Sequence, residues 1–193
     1  RYVINFADMT EHEARTWPDL MKIIETKVKP DRMSKSREVA AAPWWQFWRA
    51  RRELYATVSS LDRVLCCGQT SKYRSFAFLP TRIIFDQKLV VFALPTFSAF
   101  AVLHARTHES WALFFGSTMK DDPVYTPSDC FETFPFPSQW EFNSTLEVAG
   151  SEYHKFRSQL MVRNNEGLTA TYNRFHDPNE FDPDIFQLRT LHD

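Results

Sequence analysis

The first part of the chain has the hydrophobic spacing of a helix. Leu20, Ile24 and Val28 recur at intervals of four positions until Pro30, which predicts an amphipathic helix that stops there. Residues 31–43, DRMSKSREVAAAP, are polar and basic and then small. This composition predicts a loop or linker before the next regular element.

The middle of the chain has the composition of short buried strands. Three apolar runs, RVLCCG, SFAFLP and KLVVFAL, are separated by turn residues, and the run RIIFD at 82–86 resembles them. From residue 96 the hydrophobic period becomes helical and continues to Gly116, a residue type that often follows a helix. The pattern predicts a small mixed or antiparallel sheet near 60–95 with a packed helix at 96–115.

The last part of the chain is predicted to be mainly helical. Ser144 and Glu147 have the spacing of a capping box, as Thr10 and Glu13 have near the start, so a helix is expected after each pair. GLTATYNRFHDPNE lacks a regular period and predicts irregular structure, whereas DPDIFQLRTLHD predicts a final helix. The predicted fold is therefore α+β, a small sheet with packed helices followed by C-terminal helices.

The composition argues against several classes of protein. Hydrophobic residues make up 44% of the 193 residues, only four residues are glycine, and no GxGxxG, P-loop or HExxH motif occurs. No apolar stretch approaches the roughly 18 residues that a membrane helix needs. No signal peptide is visible, so we expect a cytoplasmic protein without a membrane partner. Cys66, Cys67 and Cys130 are expected to be buried thiols.

The net charge of −1 conceals a strong asymmetry along the chain. Residues 20–88 hold 14 lysines and arginines against 6 aspartates and glutamates, whereas residues 121–193 hold 5 against 13. A basic face for an anionic partner would produce this distribution, and so would two solvated faces of opposite sign.

The segment WWQFWRARRE at 44–53 combines aromatic surface with positive charge. Guanidinium groups bind phosphate oxygens and indole rings offer flat faces, which favours a nucleic-acid partner. Buried tryptophans covered by arginine side chains are the competing interpretation. A second cationic segment, SKYRS at 71–75, precedes a predicted strand. The candidate phosphate-binding residues are Arg49, Arg51, Arg52, Ser71, Lys72, Tyr73 and Arg74.

Residues that could carry catalysis do not form a recognisable set. His104 and His108 stand four positions apart on the predicted helix and could bind a metal, but the apolar face of that helix favours core histidines. Asp121, Asp122 and Asp129 could hold a divalent ion, as in a nuclease, or could be solvated turn residues. We predict no catalytic residue and no metal site in this chain.

Five phrases of the sequence resemble, in the same order, those of one enzyme family: RYVINF, WWQFWRARRELY, SKYRSFAF, TPSDCFETFPFP and GLTATYNRFHDP. The chain is similar to the C-terminal target recognition region of type IIG and MmeI-like (Eco57I-type) DNA adenine methyltransferases. These enzymes use S-adenosylmethionine and serve restriction-modification or phage-defence systems. The resemblance covers nearly the whole chain, and the FPFP and TYNRFHDP phrases carry most of its specificity.

The resemblance implies that the chemistry belongs to another part of a longer polypeptide. The chain begins at Arg1 with a strand-like run and ends inside a helical pattern, so we expect a piece of a larger protein. In the family a preceding catalytic domain holds S-adenosylmethionine and an Asn-Pro-Pro-Tyr motif, and this chain contains no such motif. The implied partner is that domain of the same parent, with no cofactor in this chain. The implied division is a connecting segment at 1–43, a target recognition domain at 44–140 and a C-terminal helical region at 141–193.

The implied function is sequence-specific recognition of double-stranded DNA for an enzyme that methylates adenine N6 after flipping the base out of the duplex. The candidate phosphate-binding residues would hold the backbone. Base readers are expected in the loop at 120–125 and in a second loop near 85–88, where side chains would reach the major groove. The candidate base-reading residues are Gln87, Lys88, Lys120, Asp122 and Tyr125. A protein-interaction module of a multi-subunit complex is the competing class, and a stand-alone metal-dependent nuclease is a third.

Overall fold

The chain folds as an α+β protein with a small antiparallel sheet, as the sequence predicts. The computed structural model describes residues 2–120 and 122–193. Backbone contacts divide the chain into two compact units, Arg1–Thr57 and Val58–Asp193. The predicted boundary between residues 43 and 44 lies within the first unit. No helix of the described residues has the length and apolar character needed to cross a bilayer.

The first unit is built from short helices. They are α1 (Glu11–Ala14), α2 (Pro18–Lys27), α3 (Lys29–Met33), α4 (Arg37–Ala41) and most of α5 (Arg52–Val58). The predicted capping box forms at α1, where Thr10 Oγ accepts from the Glu13 N–H and the Glu13 carboxylate accepts from the Thr10 N–H. The prediction of a loop at 31–43 is wrong, because α3 and α4 occupy much of it. Pro30 stands in the first turn of α3, where a residue without an N–H loses no helical hydrogen bond.

The aromatic run at 44–53 supplies part of the core of the first unit. Trp44 is buried together with Met21 and Ile24 of α2. Trp45 packs against this core, and its Nε1 donates to the Met9 carbonyl at 2.9 Å. Two of the tryptophans therefore anchor the basic segment to the unit that carries it.

The second unit contains a three-stranded sheet of β1 (Arg63–Gly68), β2 (Phe76–Pro80) and β3 (Leu89–Phe92). Its order is β2-β1-β3 and both pairs are antiparallel. The central strand β1 buries the continuous apolar run that predicts it. Cys66 and Cys67 are buried as predicted, and burial raises the pKa of each thiol to about 12.

The run RIIFD at 82–86 does not form the expected strand. Strand β2 ends opposite Arg63, at one end of β1, whereas β3 begins opposite Gly68, at the other end. The residues between them therefore return along the length of the sheet without pairing in it. Phe85 of this run is buried, and its burial accounts for the apolar composition of the run.

The helix predicted at 96–115 is two helices, α6 (Phe97–His104) and α7 (Arg106–Phe115). Ala105 separates them with an extended backbone, at φ −65° and ψ 151°. Gly116 follows α7 directly, as its position after the hydrophobic period predicts.

The remaining helices follow α7 in the second unit. They are α8 (Pro127–Cys130), a 3-10 helix (Trp140–Phe142), α9 (Ser144–Asn164), α10 (Leu168–Phe175) and α11 (Pro183–His192). The segment predicted to be irregular contains α10. Its Thr and Asn residues are weak helix formers, but Tyr172 and Phe175 are buried in the core and outweigh that preference.

The start of α9 differs from its prediction. Asn143 caps this helix, with its Oδ1 accepting from the N–H groups of Thr145 and Leu146. Glu147 does not close a capping box and instead accepts from the Ser98 N–H at 2.6 Å. The Glu147 side chain thus ties α9 to the first turn of α6.

A buried hydrogen-bond network joins the sheet to the C-terminal helices. His104 accepts at Nδ1 from the Phe76 N–H at 3.4 Å, and its Nε2 lies 2.5 Å from the Tyr172 hydroxyl. That hydroxyl also contacts Tyr153 Oη and accepts from Arg157, each at 2.9 Å. Burial, and secondarily the Arg157 charge, lower the pKa of His104 well below its usual value. The prediction of a core histidine is confirmed at this position.

Candidate nucleic-acid interface

Three segments meet at one end of the three-stranded sheet. One connects β1 to β2, one leads into β3, and the third contains a two-stranded hairpin of β4 (Ser117–Met119) and β5 (Asp122–Val124). We call residues 68–75, 86–88 and 117–125 the three-loop end. It contains the candidate residues that the sequence places in the second unit.

Main-chain hydrogen bonds hold the three segments together. The Gln69 N–H donates to the Lys88 carbonyl at 2.7 Å, and the Gln69 carbonyl accepts from the Tyr125 N–H at 2.7 Å. The Ser71 N–H donates to the Pro123 carbonyl at 3.2 Å. Segments that are far apart in the sequence therefore form one surface, and main-chain hydrogen bonds contribute to fixing their mutual position.

Several charged and amide side chains of the three-loop end face solvent. Lys72, Gln87, Lys88, Lys120 and Asp122 are all exposed. Within the described parts of the chain none of the three lysines forms an ion pair. Lys72 Nζ lies over its neighbouring tyrosine ring at 4.9 Å.

The turn of the hairpin has an unusual backbone. Lys120 has φ 58°, in the left-handed region that non-glycine residues seldom adopt. The following residue, Asp121, lies outside the described residues. Lys120 therefore lies at the tip of the hairpin, in a turn whose backbone conformation is constrained.

Tyr125 does not face solvent, which corrects its prediction as a base-reading residue. Its side chain is fully buried, and its hydroxyl donates to His108 Nε2 at 3.0 Å. His108 Nδ1 in turn donates to the Leu103 carbonyl at 2.7 Å. Burial lowers the pKa of His108 to about 4 and raises that of Tyr125. The His108 imidazole and the Tyr125 hydroxyl are therefore uncharged, and they support the hairpin.

Arg74 is also turned inward, which corrects its prediction as a phosphate-binding residue. Its guanidinium donates to the Gly68 carbonyl at 2.7 Å and to the Pro123 carbonyl at 3.4 Å. It lies 5.0 Å from the centre of the Tyr125 ring. Arg74 therefore links the end of β1 to the hairpin.

Two further candidates contribute to the loop that carries Lys72. Ser71 Oγ donates to the Tyr73 carbonyl at 2.7 Å. The Tyr73 ring stacks on His176 at 4.0 Å with an interplanar angle of 10°. These contacts stiffen the loop beneath the exposed Lys72, while the predicted contacts of Ser71 and Tyr73 with phosphate stay predictions.

Arg49 and Arg51 lie in the irregular segment before α5, and Arg52 is the first residue of that helix. Arg49 and Arg51 are exposed, and Arg51 has φ 48°, another left-handed non-glycine residue. Arg52 is paired with Asp8 at 2.6 Å on the surface. The segment lines an open groove of about 420 Å³ together with Phe47 and the partly exposed Trp48. The aromatic run is thus divided between core residues and a basic, aromatic surface.

The sequence did not single out the first strand of the hairpin. Ser117, Thr118 and Met119 of β4 are all exposed and are paired with Val124, Pro123 and Asp122 of β5. Their two hydroxyl groups can donate and accept hydrogen bonds beside Lys120. The sequence signal for this strand was the polar run that begins directly after Gly116. That run begins four residues before the aspartate pair.

Tyr125→Phe separates the structural role of this residue from a DNA-binding role. The change leaves His108 Nε2 buried without its donor, so we expect the free energy of unfolding to fall by about 1–3 kcal/mol. DNA sequence preference should stay unchanged, because the hydroxyl faces the core. Chemical denaturation and duplex-binding assays of the purified variant provide the two measurements. An altered base preference at unchanged stability would contradict the assignment.

The nuclease alternative required Asp121, Asp122 and Asp129 to converge. Asp121 lies outside the described residues. Across the described ranges, 2–120 and 122–193, no group of three His, Cys, Asp or Glu side chains comes close enough to hold a metal ion. Nothing in this part of the chain favours that alternative.

Comparison with known proteins places this geometry in context. A family model described as the MmeI target recognition domain matches residues 1–138. The structure is similar to a chain from the solved structure of the type IIL restriction-modification enzyme MmeI in complex with DNA, with a TM-score of 0.71 and 19% sequence identity. The similarity covers 98% of this chain and 24% of that chain, so this chain spans about a quarter of the relative's length. No curated protein matches the sequence.

Proposed function

Because the chain belongs to the MmeI target recognition domain family, we propose that it recognises a specific sequence in double-stranded DNA on behalf of a restriction-modification enzyme. Three facts support the proposal. The family is defined by target recognition, the similar solved structure is of a DNA complex, and the three-loop end presents free cations beside hydrogen-bonding side chains.

The observation that carries the proposal is the convergence of the three segments. Sequence readout needs donors and acceptors held at fixed positions, because a base edge is distinguished by hydrogen-bond geometry. The main-chain bonds from Gln69 to Lys88 and Tyr125 supply that fixed position. A hairpin that carries Lys120 at its tip also has the shape to enter the major groove, which admits a two-stranded ribbon.

The roles follow from side-chain chemistry. Lys120 would donate to guanine O6 or N7, and Asp122 would accept from cytosine N4. Gln87 suits adenine, and Lys88 beside it would donate to a second acceptor. Lys72 would bind phosphate, as would the exposed Arg49 and Arg51 of the first unit, which together with Arg52 would supply affinity without sequence information.

We propose that the chemistry of the parent belongs to a part of the polypeptide outside this chain. We propose that the parent methylates adenine N6 with S-adenosylmethionine bound in a separate catalytic domain of the same polypeptide. Two of the four glycines show no cradle for that cofactor. A Cβ at Gly116 or Gly150 would meet the protein's own main chain, so these glycines allow close packing rather than cradling a ligand. We also propose that the protein is cytoplasmic.

A second candidate applies to residues 139–193, which lie beyond the family match. Phe142, Val162 and Phe181 are among the most exposed large apolar side chains described. Exposed apolar side chains favour contact with another protein surface where they form one contiguous patch. A protein-interaction role for this region would be compatible with DNA recognition by the three-loop end.

The proposed function is tested by the specificity of hairpin variants. In the full-length protein, Lys120→Ala or Asp122→Ala should each relax one base position by about 1–3 kcal/mol, because each removes one base contact. Selection from a library of duplexes with a randomised central segment measures the preference at every position. Lys155→Ala, an exposed lysine on α9, is the control and should leave the selected sequence unchanged. Equal weakening on all sequences would demote Lys120 and Asp122 to backbone contacts.

A further inference from the structure

Gly116 joins α7 to the hairpin β4–β5. At this residue the backbone lies unusually close to other main-chain atoms. A Cβ at this position would lie 2.5 Å from the Ala112 carbonyl oxygen and 2.8 Å from that of Val124. The Cys130 Sγ would be 3.3 Å away. Both closest atoms belong to the main chain and cannot rotate aside. Only glycine therefore lets β5 approach the last turn of α7 in this way.

Arg74 holds the hairpin from the side of β1. Its two hydrogen bonds reach the carbonyls of Gly68, which ends β1, and Pro123, which lies within β5. The guanidinium is half-buried and lies over the Tyr125 ring. The same strand, β5, is thus contacted by Gly116 on one side and by Arg74 on another.

We propose that Gly116 and Arg74 are positioning residues that fix the direction of the hairpin and so determine which base pairs its side chains can read. This inference rests on the proposed function and adds a specificity role for two residues that do not touch DNA. Hydrogen bonds to base edges weaken steeply when distance or angle changes. A shift of β5 by up to about an ångström would therefore change the discrimination between base pairs. Attraction to phosphates depends on charge and would hardly change.

The test uses Gly116→Ala in the full-length protein. We expect preference for the selected sequence over single-base variants to fall roughly tenfold at the positions read by Lys120 and Asp122. Preference at positions read by other loops should be retained. The salt dependence of binding to a duplex of random sequence should match the unmodified protein, since no charge is removed.

A matched control distinguishes positioning from a general loss of stability. Gly150→Ala places a Cβ 2.2 Å from the Phe97 carbonyl oxygen, in the contact between α9 and α6, and is at least as crowded. We expect it to lower the melting temperature while leaving the selected sequence intact. Gly167→Ala, whose Cβ would meet no atom within 4 Å, serves as the benign reference. The inference is overturned if Gly150→Ala relaxes the same base positions.

Arg74→Met provides a second variant if Gly116→Ala does not fold. It should relax the same positions as the glycine change and leave the salt dependence unaltered. If the exponent that relates affinity to salt concentration falls by about 0.9, Arg74 contacts a phosphate, and its positioning role is overturned. A selected sequence unchanged in both variants overturns the inference and leaves the proposed function standing. An unmodified protein that selects no sequence overturns the proposed function itself.

Discussion

Replacing Arg49, Arg51 and Lys72 together by glutamine is expected to weaken duplex binding by roughly 10²–10³-fold near 0.1 M salt. Each lost phosphate contact removes about 0.9 from the exponent that relates affinity to salt concentration, so the exponent should fall by about 3. All three side chains are exposed and form no ion pair within the described ranges. Titration of a fluorescent duplex at several salt concentrations gives both quantities.

The control for this experiment removes the same charge elsewhere. Arg106 and Arg163 form surface ion pairs with Asp193 and Asp184, and Lys155 is exposed on α9. Replacing these three residues by glutamine should change affinity and salt dependence little, because they are not predicted to meet the backbone. An equal loss from both triple variants would indicate diffuse attraction by net charge and remove the assigned phosphate contacts.

Acidification from pH 6.5 to pH 4 is expected to destabilise the second unit by about 3 kcal/mol through His108 alone. Burial lowers the pKa of this histidine to about 4 in the folded chain, against about 6.5 when unfolded. Between these values the unfolded state binds a proton that the folded state does not. The free energy of unfolding therefore falls as pH falls through this window and levels off below the folded pKa. His104, whose pKa is also lowered by burial, acts in the same direction.

Denaturant unfolding between pH 6.5 and pH 5 measures this effect above the range in which most carboxylates become protonated. About half of the His108 contribution should be lost by pH 5. His108→Gln should be less stable at pH 7 but should lose less on acidification, since an amide does not titrate. His12→Gln, at an exposed position of α1, should follow the unmodified protein. A pH profile that His108→Gln does not flatten would contradict the buried neutral histidine.

Local sequence rules predicted the elements that depend on local interactions. The Thr10 capping box, the continuous apolar strand β1 and the last helix α11 all follow from residues within a few positions of one another. The break at Ala105 could not be predicted, because alanine favours a helix. Its cause is tertiary: His104 and His108 turn to separate buried partners, the tyrosines Tyr172 and Tyr125.

The site was predicted as three separate segments, and their convergence required the fold. The order β2-β1-β3 brings the end of β1 to the start of β3, and the hairpin then pairs with the segment after β1. The directions of Arg74 and Tyr125 were not accessible from sequence. An arginine or a tyrosine near a strand suits a phosphate contact and a buried hydrogen bond equally well. Burial and partner atoms decided between them.

Amide hydrogen exchange of the full-length protein, with and without a bound duplex, tests the central claim most directly. With the duplex identified by selection, slowed amide exchange is expected at residues 68–75, 86–88 and 117–125, and at 44–53. Helices α9 and α11, which lie outside the three-loop end and outside residues 44–53, should exchange as in the free protein. Protection on those helices with none at the hairpin would contradict recognition of DNA by the three-loop end.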